Sequence, residues 1–272
     1  MLAQKGLDTL SSRRSALDLR TLTYYRDLVL VLLSKEFKVR YKNTFLGYAW
    51  SVMHPLAFAL ILFVLFRKIV RFEVPAYSLY LVSGLFAWQW IANTVAAANF
   101  YFLGNSTLIK KVRFQRATLV LAGVLNDLVH FLVSIPVVIG FMLYFGKTPQ
   151  LNWLWMVPAL VLVQLAMTFG IGLFIATSNL FFRDLERLSG IVMNLLLYLT
   201  PIMWTVDRVP AEHAWLLYLN PFAPLIAGWH GLFYYGTVPA ACLAGAAAWS
   251  LIFVGLGWAV YSKCVWRFAE VV

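Results

Sequence analysis

One acidic side chain interrupts an otherwise apolar stretch: Asp127, with Asn126 before it and His130 three residues after it on the same helical face. A carboxylate and an imidazole at that spacing could serve a proton relay or contact a polar substrate, because an ionisable group in hydrocarbon is costly and is by default functional. An interhelical hydrogen bond would satisfy Asp127 equally well, as would a pair with Arg113 or Arg116 toward the inner surface. The segment Gly140 to Thr148 comes close to a phosphate-binding loop, but five residues separate its glycines where four are required, and those residues are bulky and apolar. A glycine ending a span is the better reading of Gly146. His54, His130, His213 and His230 are scattered and neither cysteine has a ligand partner nearby, so no metal or other cofactor is expected. Cys242 and Cys264 are 22 residues apart in one apolar run, roughly 33 Å along a helix, and cannot pair with each other.

The elements that must position these groups are membrane helices. Of 272 residues 62% are hydrophobic and 12% charged, against roughly 45–50% and 25% in a soluble domain. Runs without Asp, Glu, Lys or Arg extend from Thr44 to Phe66, Val74 to Ile109, Thr148 to Phe182, Leu188 to Val206 and His213 to Ser262, each long enough for a spanning helix. These are not the short alternating segments of a barrel. The expected fold class is an all-α membrane protein of six transmembrane helices, at 46–66, 78–102, 119–144, 153–179, 188–205 and 238–261. An N-terminal segment 1–45 precedes the transmembrane domain 46–262, and a tail 263–272 follows it. Lys and Arg outnumber Asp and Glu 22 to 11, which labels one side of a membrane rather than a nucleic-acid surface. With the N-terminus inside, 17 basic residues fall on the inner side and five on the outer, three of these at Arg67, Lys68 and Arg71. Both termini are therefore expected in the cytoplasm, and no cleavable signal is expected, since the apolar stretch Leu28 to Leu33 is too short for one.

Two further segments have their own signatures. Residues 20–38 carry Leu22, Tyr25, Val29, Leu32, Leu33 and Phe37 at three-and-four spacing, with Arg20, Arg26, Lys35 and Lys38 elsewhere, the pattern of an amphipathic helix at the inner membrane surface. Residues 206–237 are too apolar for a solvated loop and too broken by proline and glycine for a span. They are expected to form a half-inserted external helical hairpin before the last span, surrounded by protein or lining a water-filled cavity.

The stretch from Phe37 through Arg40, Tyr41, Lys42, Thr44, Leu46 and Gly47 to Trp50, with Pro55 beyond, resembles the permease subunit of ABC exporters for O-antigen, capsular and teichoic polysaccharides. Three further stretches agree in order: Asn105 through Lys111 and Phe114 to Arg116; Asn179 through Arg183, Asp184 and Leu185 to Pro201 and Ile202; and Asn220-Pro221. Gln115 departs, standing where the family commonly has proline. The resemblance implies a homodimer in the cell inner membrane, joined by two copies of a separate ATP-binding subunit and passing a lipid-linked polysaccharide outward. It would be a transport subunit rather than an enzyme, and the chain has no nucleotide-binding loop of its own. Contacts with the ATPase are expected from the 103–118 and 180–187 connections and the 20–38 helix, through Arg40, Lys42, Lys111, Arg116, Arg183 and Asp184, the last two alternatively pairing locally or capping the fifth span. For the pathway, Phe86, Trp88 and Trp90 in the second span and Tyr198 and Trp204 in the fifth, toward the outer ends, offer faces on which sugar rings could stack. An interfacial aromatic belt is the competing reading. Trp88 and Trp90 stand about 200° apart around a helix, so at most one faces a conduit. Within the same class an ABC exporter of drugs or small lipids is an alternative, and two other classes compete. A glycosyl- or acyltransferase would need a catalytic pair that only Asp127 and His130 approach; a channel or proton-coupled transporter would need inverted repeats or several buried charges.

Overall fold

The computed structural model describes residues 23–271 apart from 40–46, 48, 72, 113 and 214. Among the described residues the chain is helical with short turns and holds no strand. Helix α1 covers 23–39. It is followed by α2 (Ala49–Phe63), α3 (Tyr77–Tyr101), α4 (Ser106–Lys111), α5 (Ala117–Tyr144), α6 (Trp153–Asn179), α7 (Leu185–Leu199), α8 (Trp215–Leu219), α9 (Ala223–His230), α10 (Ala240–Cys264) and α11 (Phe268–Val271). Two π-helices, Val64–Ile69 and Gly231–Tyr235, prolong α2 and α9.

Five helices are long and apolar enough to cross a membrane: Val52–Ile69, Tyr77–Tyr101, Ala117–Tyr144, Trp153–Asn179 and Ala240–Arg267. The fifth expected span, 188–205, is occupied by α7, which starts three residues earlier and stops at Leu199. Its 15 residues reach about 22 Å at 1.5 Å per residue, short of roughly 30 Å of hydrocarbon. The cause is local: Pro201 cannot donate to a helix and pushes Thr200 into the extended region, φ −88° and ψ 140°.

Helix α3 is the centre of the bundle. From Leu79 to Trp88 every residue is buried, all round its circumference, whereas Gln89, Ala92, Asn93, Ala96, Ala97 and Phe100 form a half-buried to exposed stripe beyond it; it packs against α2, α5, α6, α7 and α9. The first half has the environment of a helix hydrophobic on every side. Polar ties hold the two ends of the bundle. At one end the Arg116 guanidinium donates to the Val265 carbonyl and the Ala117 amide donates to the Tyr261 hydroxyl at 3.2 Å. At the other, the Tyr234 hydroxyl donates to the Pro75 carbonyl at 2.6 Å and Asn152 donates to Gly236 at 2.9 Å. Lys147 joins this second set, donating to the Tyr234 carbonyl and lying 4.0 Å over the Tyr234 ring. Burial pulls its ammonium below the ordinary lysine value.

The closest helix pair is α6 with α10. A Cβ on Gly257 would collide with the Gly170 carbonyl, and one on Gly170 with the backbone of Phe253 and Val254. Small residues thus let the two backbones touch, which is how helices associate where lipid removes the hydrophobic drive. Gly257→Val should therefore force α6 and α10 apart and lower stability by about 2 kcal/mol, the usual scale of overpacking. Gly255→Ala, at a position with open space around it, should unfold like the parent, and thermal unfolding in detergent compares the two.

Candidate functional site

Two regions gather the residues singled out above: the end of the bundle carrying the 102–116 and 180–184 connections, and the wall formed by α7 with the broken segment beyond it.

At the first, α1 turns Leu28, Val29, Leu32, Leu33 and Phe37 inward, Leu32 being buried. The Phe37 ring meets the His130 ring edge-on at 5.7 Å. The Lys35 ammonium donates to Asn105 Oδ1, while Asn105 donates to the Tyr101 carbonyl at 2.8 Å. So α1 is hooked to α5 and to the connection before α4. Lys111, Arg183 and Asp184 are exposed. Asp184 occupies the N-cap of α7 with no side-chain cap bond. Arg116 is drawn away from this exposed set: besides the Val265 carbonyl it lies 5.5 Å over the Phe268 ring, a cation at a helix C-terminus. Arg40, Lys42 and Arg113 lie outside the described residues.

The tail contributes more than its sequence suggests. Phe268 is fully buried and packs 4.8 Å from Phe102, while Arg267 lies 5.9 Å over Phe181. The expected 263–272 tail is thus part of this face, anchored by a lone aromatic that too little sequence surrounds to form a readable pattern.

Asp127 is buried on α5 and accepts a hydrogen bond from Thr94 Oγ1 of α3 at 2.9 Å. Of the alternatives open in the sequence, the interhelical hydrogen bond is present; Arg116 is engaged elsewhere, and Arg113 lies outside the described residues.

At the second region, α7 has no buried side chain. Leu188, Ile191, Val192, Leu195, Tyr198 and Leu199 are all exposed and follow each other at helical spacing as one apolar stripe. Beyond it the chain from Thr200 to Met203 is non-helical yet buried. The Tyr80 hydroxyl lies 3.1 Å from the Pro201 carbonyl and 2.9 Å from that of Trp204, and Tyr77 donates to Met203 at 2.7 Å. His230 Nε2 lies 2.9 Å from the Pro201 carbonyl and Nδ1 2.8 Å from Ser83 Oγ. A carbonyl can only accept, so Nε2 carries a proton. The His230 ring stacks on Tyr80 at 3.8 Å, 4° from parallel. Asn220 ties the same break to α9, donating to Thr200 Oγ1 at 3.0 Å and accepting from the Phe222 amide at 3.0 Å. Of the expected half-inserted pair, α8 buries nothing whereas α9 is buried from Ala223 to Ile226 and again from Gly228 to His230.

The five aromatics divide. Phe86, Trp88 and Trp90 are buried within the chain, midway along α3 rather than toward its end, with Trp88 5.6 Å from Phe222 and Trp90 5.4 Å from Phe131. Tyr198 stands on the open face of α7, and Trp204 Nε1 donates to its carbonyl at 3.0 Å. Among the described residues no three of His, Cys, Asp and Glu are placed to hold a metal ion. His230 was the residue missed: a single histidine in an aromatic stretch carries no spacing signal.

The family model described as "ABC-2 type transporter" matches residues 27–234, from within α1 into the second π-helix. The chain belongs to the ABC-2 type transporter family. Two proteins from Klebsiella pneumoniae, each named O-antigen export system permease protein RfbA, are 38% and 39% identical over 250 residues, covering 92% of this chain and 96% of theirs. A protein of the same name from Myxococcus xanthus is 28% identical over 254 residues, covering 92% and 97%. In this ABC-2 chain the match takes in the exposed connections and the α7 wall, while Arg267 and Phe268 of the tail lie beyond it.

The Thr94 to Asp127 bond separates two roles for Asp127. Asp127→Asn keeps an acceptor for the threonine and should preserve folding and transport, which a proton relay would not survive. Asp127→Leu leaves the buried hydroxyl unpaired and should cost about 1–3 kcal/mol, read as a lower unfolding midpoint.

Proposed function

We propose that this chain is the membrane subunit of an ATP-driven exporter that passes an O-antigen-like, lipid-linked polysaccharide outward across the inner membrane. It works as a homodimer with two copies of a separate ATP-binding subunit, with both termini in the cytoplasm, the sixth crossing being made by α7 together with the broken segment beyond it. The observation that carries the cargo is the near-full-length similarity to permeases named for O-antigen export, at 38% and 39% identity. Orientation follows the 17 to five division of basic residues.

A hydrophilic polymer crossing roughly 30 Å of hydrocarbon must have its hydroxyls met along the way, which calls for a closed protein-lined conduit. The bare stripe of α7 supports a conduit shared between two copies: one copy leaves Leu188, Ile191, Leu195 and Tyr198 exposed, and a second copy would cover part of that face. Sugar rings present C–H faces as well as hydroxyls, so the Tyr198 ring, with Trp204 beside it, can hold successive residues by weak contacts without fixing a register. Phe86, Trp88 and Trp90, buried within the chain, serve in this reading as packing residues, Trp88 against Phe222 and Trp90 against Phe131. Energy enters at the opposite face, where α1, the α4 connection and the turn before α7 present Lys111, Arg183 and Asp184 to the partner. Lys111 and Arg183 suit acidic groups on the ATPase, and Arg40 and Lys42 belong with them by sequence.

Deleting the gene should abolish surface polysaccharide while lipid-linked polymer accumulates inside the cell; unchanged surface polymer would refute the reading. Tyr198→Ala with Trp204→Ala should cut export several-fold at normal abundance and ATPase assembly. Arg183→Glu should instead lower substrate-stimulated ATP hydrolysis, and hydrolysis at the parental rate would remove Arg183 from the coupling face.

A further inference from the structure

The five basic residues on the sparse side of the membrane are unevenly spread, three of them falling together at Arg67, Lys68 and Arg71. They run against the charge bias that orients the rest of the chain. The backbone there is unusual as well. Helix α2 passes into a π-helix, Val64–Ile69, a rare form that commonly marks functional sites, and Arg71 adopts a left-handed φ of 54°, uncommon for any residue but glycine.

Arg67, carried by that π-helix, is part of the wall of a groove of about 520 Å³ between α2, α3 and α5. The rest of the wall is mainly apolar, with Leu60, Phe63, Val82, Phe141 and Tyr144 among it, and includes Ser78. Leu60 and Tyr144 are 64% and 83% exposed, so the groove is open at its side. No carboxylate pairs with Arg67 among the described residues. A guanidinium at the head of an apolar groove, with two further cations next in the chain, complements one molecular class: an anionic head on hydrocarbon tails.

The geometry points to a binding site for an anionic phospholipid of the surrounding membrane, its phosphate on Arg67 and an acyl chain along Leu60, Phe63 and Phe141. Lys68 and Arg71 add attraction for the headgroup near the surface. The site does not depend on what the transporter carries; the orientation proposed above only assigns it to the outer leaflet.

Native mass spectrometry of the delipidated dimer with its ATPase, titrated with phosphatidylglycerol and with phosphatidylcholine, tests the site. The parent should hold phosphatidylglycerol in preference to phosphatidylcholine. Arg67→Gln should bind phosphatidylglycerol about tenfold more weakly and lose the preference, the scale expected when one charge-assisted contact is removed. Leu60→Trp, which fills the groove and keeps the arginine, should lose the bound lipid too. Equal binding of phosphatidylglycerol by the parent and Arg67→Gln would overturn the site, as would a parent that does not tell the two lipids apart. Displacement by an added polyprenyl diphosphate binding more than tenfold tighter would give the groove to a cargo carrier instead. Disulfide capture of Leu60→Cys by the same position in a second copy would make it a subunit interface.

Discussion

Backbone carbonyls left without a partner in hydrocarbon cost several kcal/mol each, and this chain places a run of them inside its bundle. Helix α7 ends at Thr200-Pro201, and the residues that follow are buried without being helical. Their carbonyls are met by side chains, from Tyr77 and Tyr80 of α3 and from His230 of α9. These residues are buried within the chain, and the three donors are delivered by the neighbouring helices α3 and α9.

Much of the architecture follows from that requirement. Helix α3 sits at the centre because it supplies two of the donors and the Ser83 hydroxyl that fixes the other side of the His230 ring. A glycine is needed at position 84, where a Cβ would stand 2.7 Å from His230 Cε1. Helix α9 must enter the bundle to bring His230 to Pro201, and an aromatic train seats it: Trp229 stacks on Phe233 at 5.3 Å and contacts Phe131 at 4.9 Å. Gln164 of α6 links the same pieces, accepting from Trp229 Nε1 at 2.6 Å and donating to the Ala87 carbonyl at 2.8 Å. Because the break is supported from within, α7 can stay short and keep its apolar stripe free. In the proposed exporter, that free stripe is the surface a second copy and a passing polymer would share.

The spans were legible wherever long uncharged runs set their limits. Trp153–Asn179 coincides with the expected 153–179, and α5 and α10 fall within a few residues. The expected 188–205 span went further than the helix because hydropathy counts Thr200 to Thr205 as apolar without registering that Pro201 ends the hydrogen-bond ladder. The helical angle between Trp88 and Trp90 could not reveal that both would be buried, since the rest of the chain covers both of the faces of α3 that carry them. Arg116 looked free for a partner because its intramolecular acceptor lies 149 residues away, beyond any local pattern. His230 and Phe268 were unreadable for the same reason: each acts alone, through residues distant in sequence.

The support of the break by side-chain donors is tested most directly by Tyr80→Phe, which keeps the ring stacked on His230 and removes only the hydroxyl shared by the Pro201 and Trp204 carbonyls. The measurement is the unfolding midpoint of the purified protein, with the parent beside it. The account predicts a loss of about 1–3 kcal/mol, the penalty for an unpaired buried polar group. Added to His230→Phe, which strips the same Pro201 carbonyl, it should cost less than the sum of the two single changes. A Tyr80→Phe protein that unfolds at the parental temperature would contradict it.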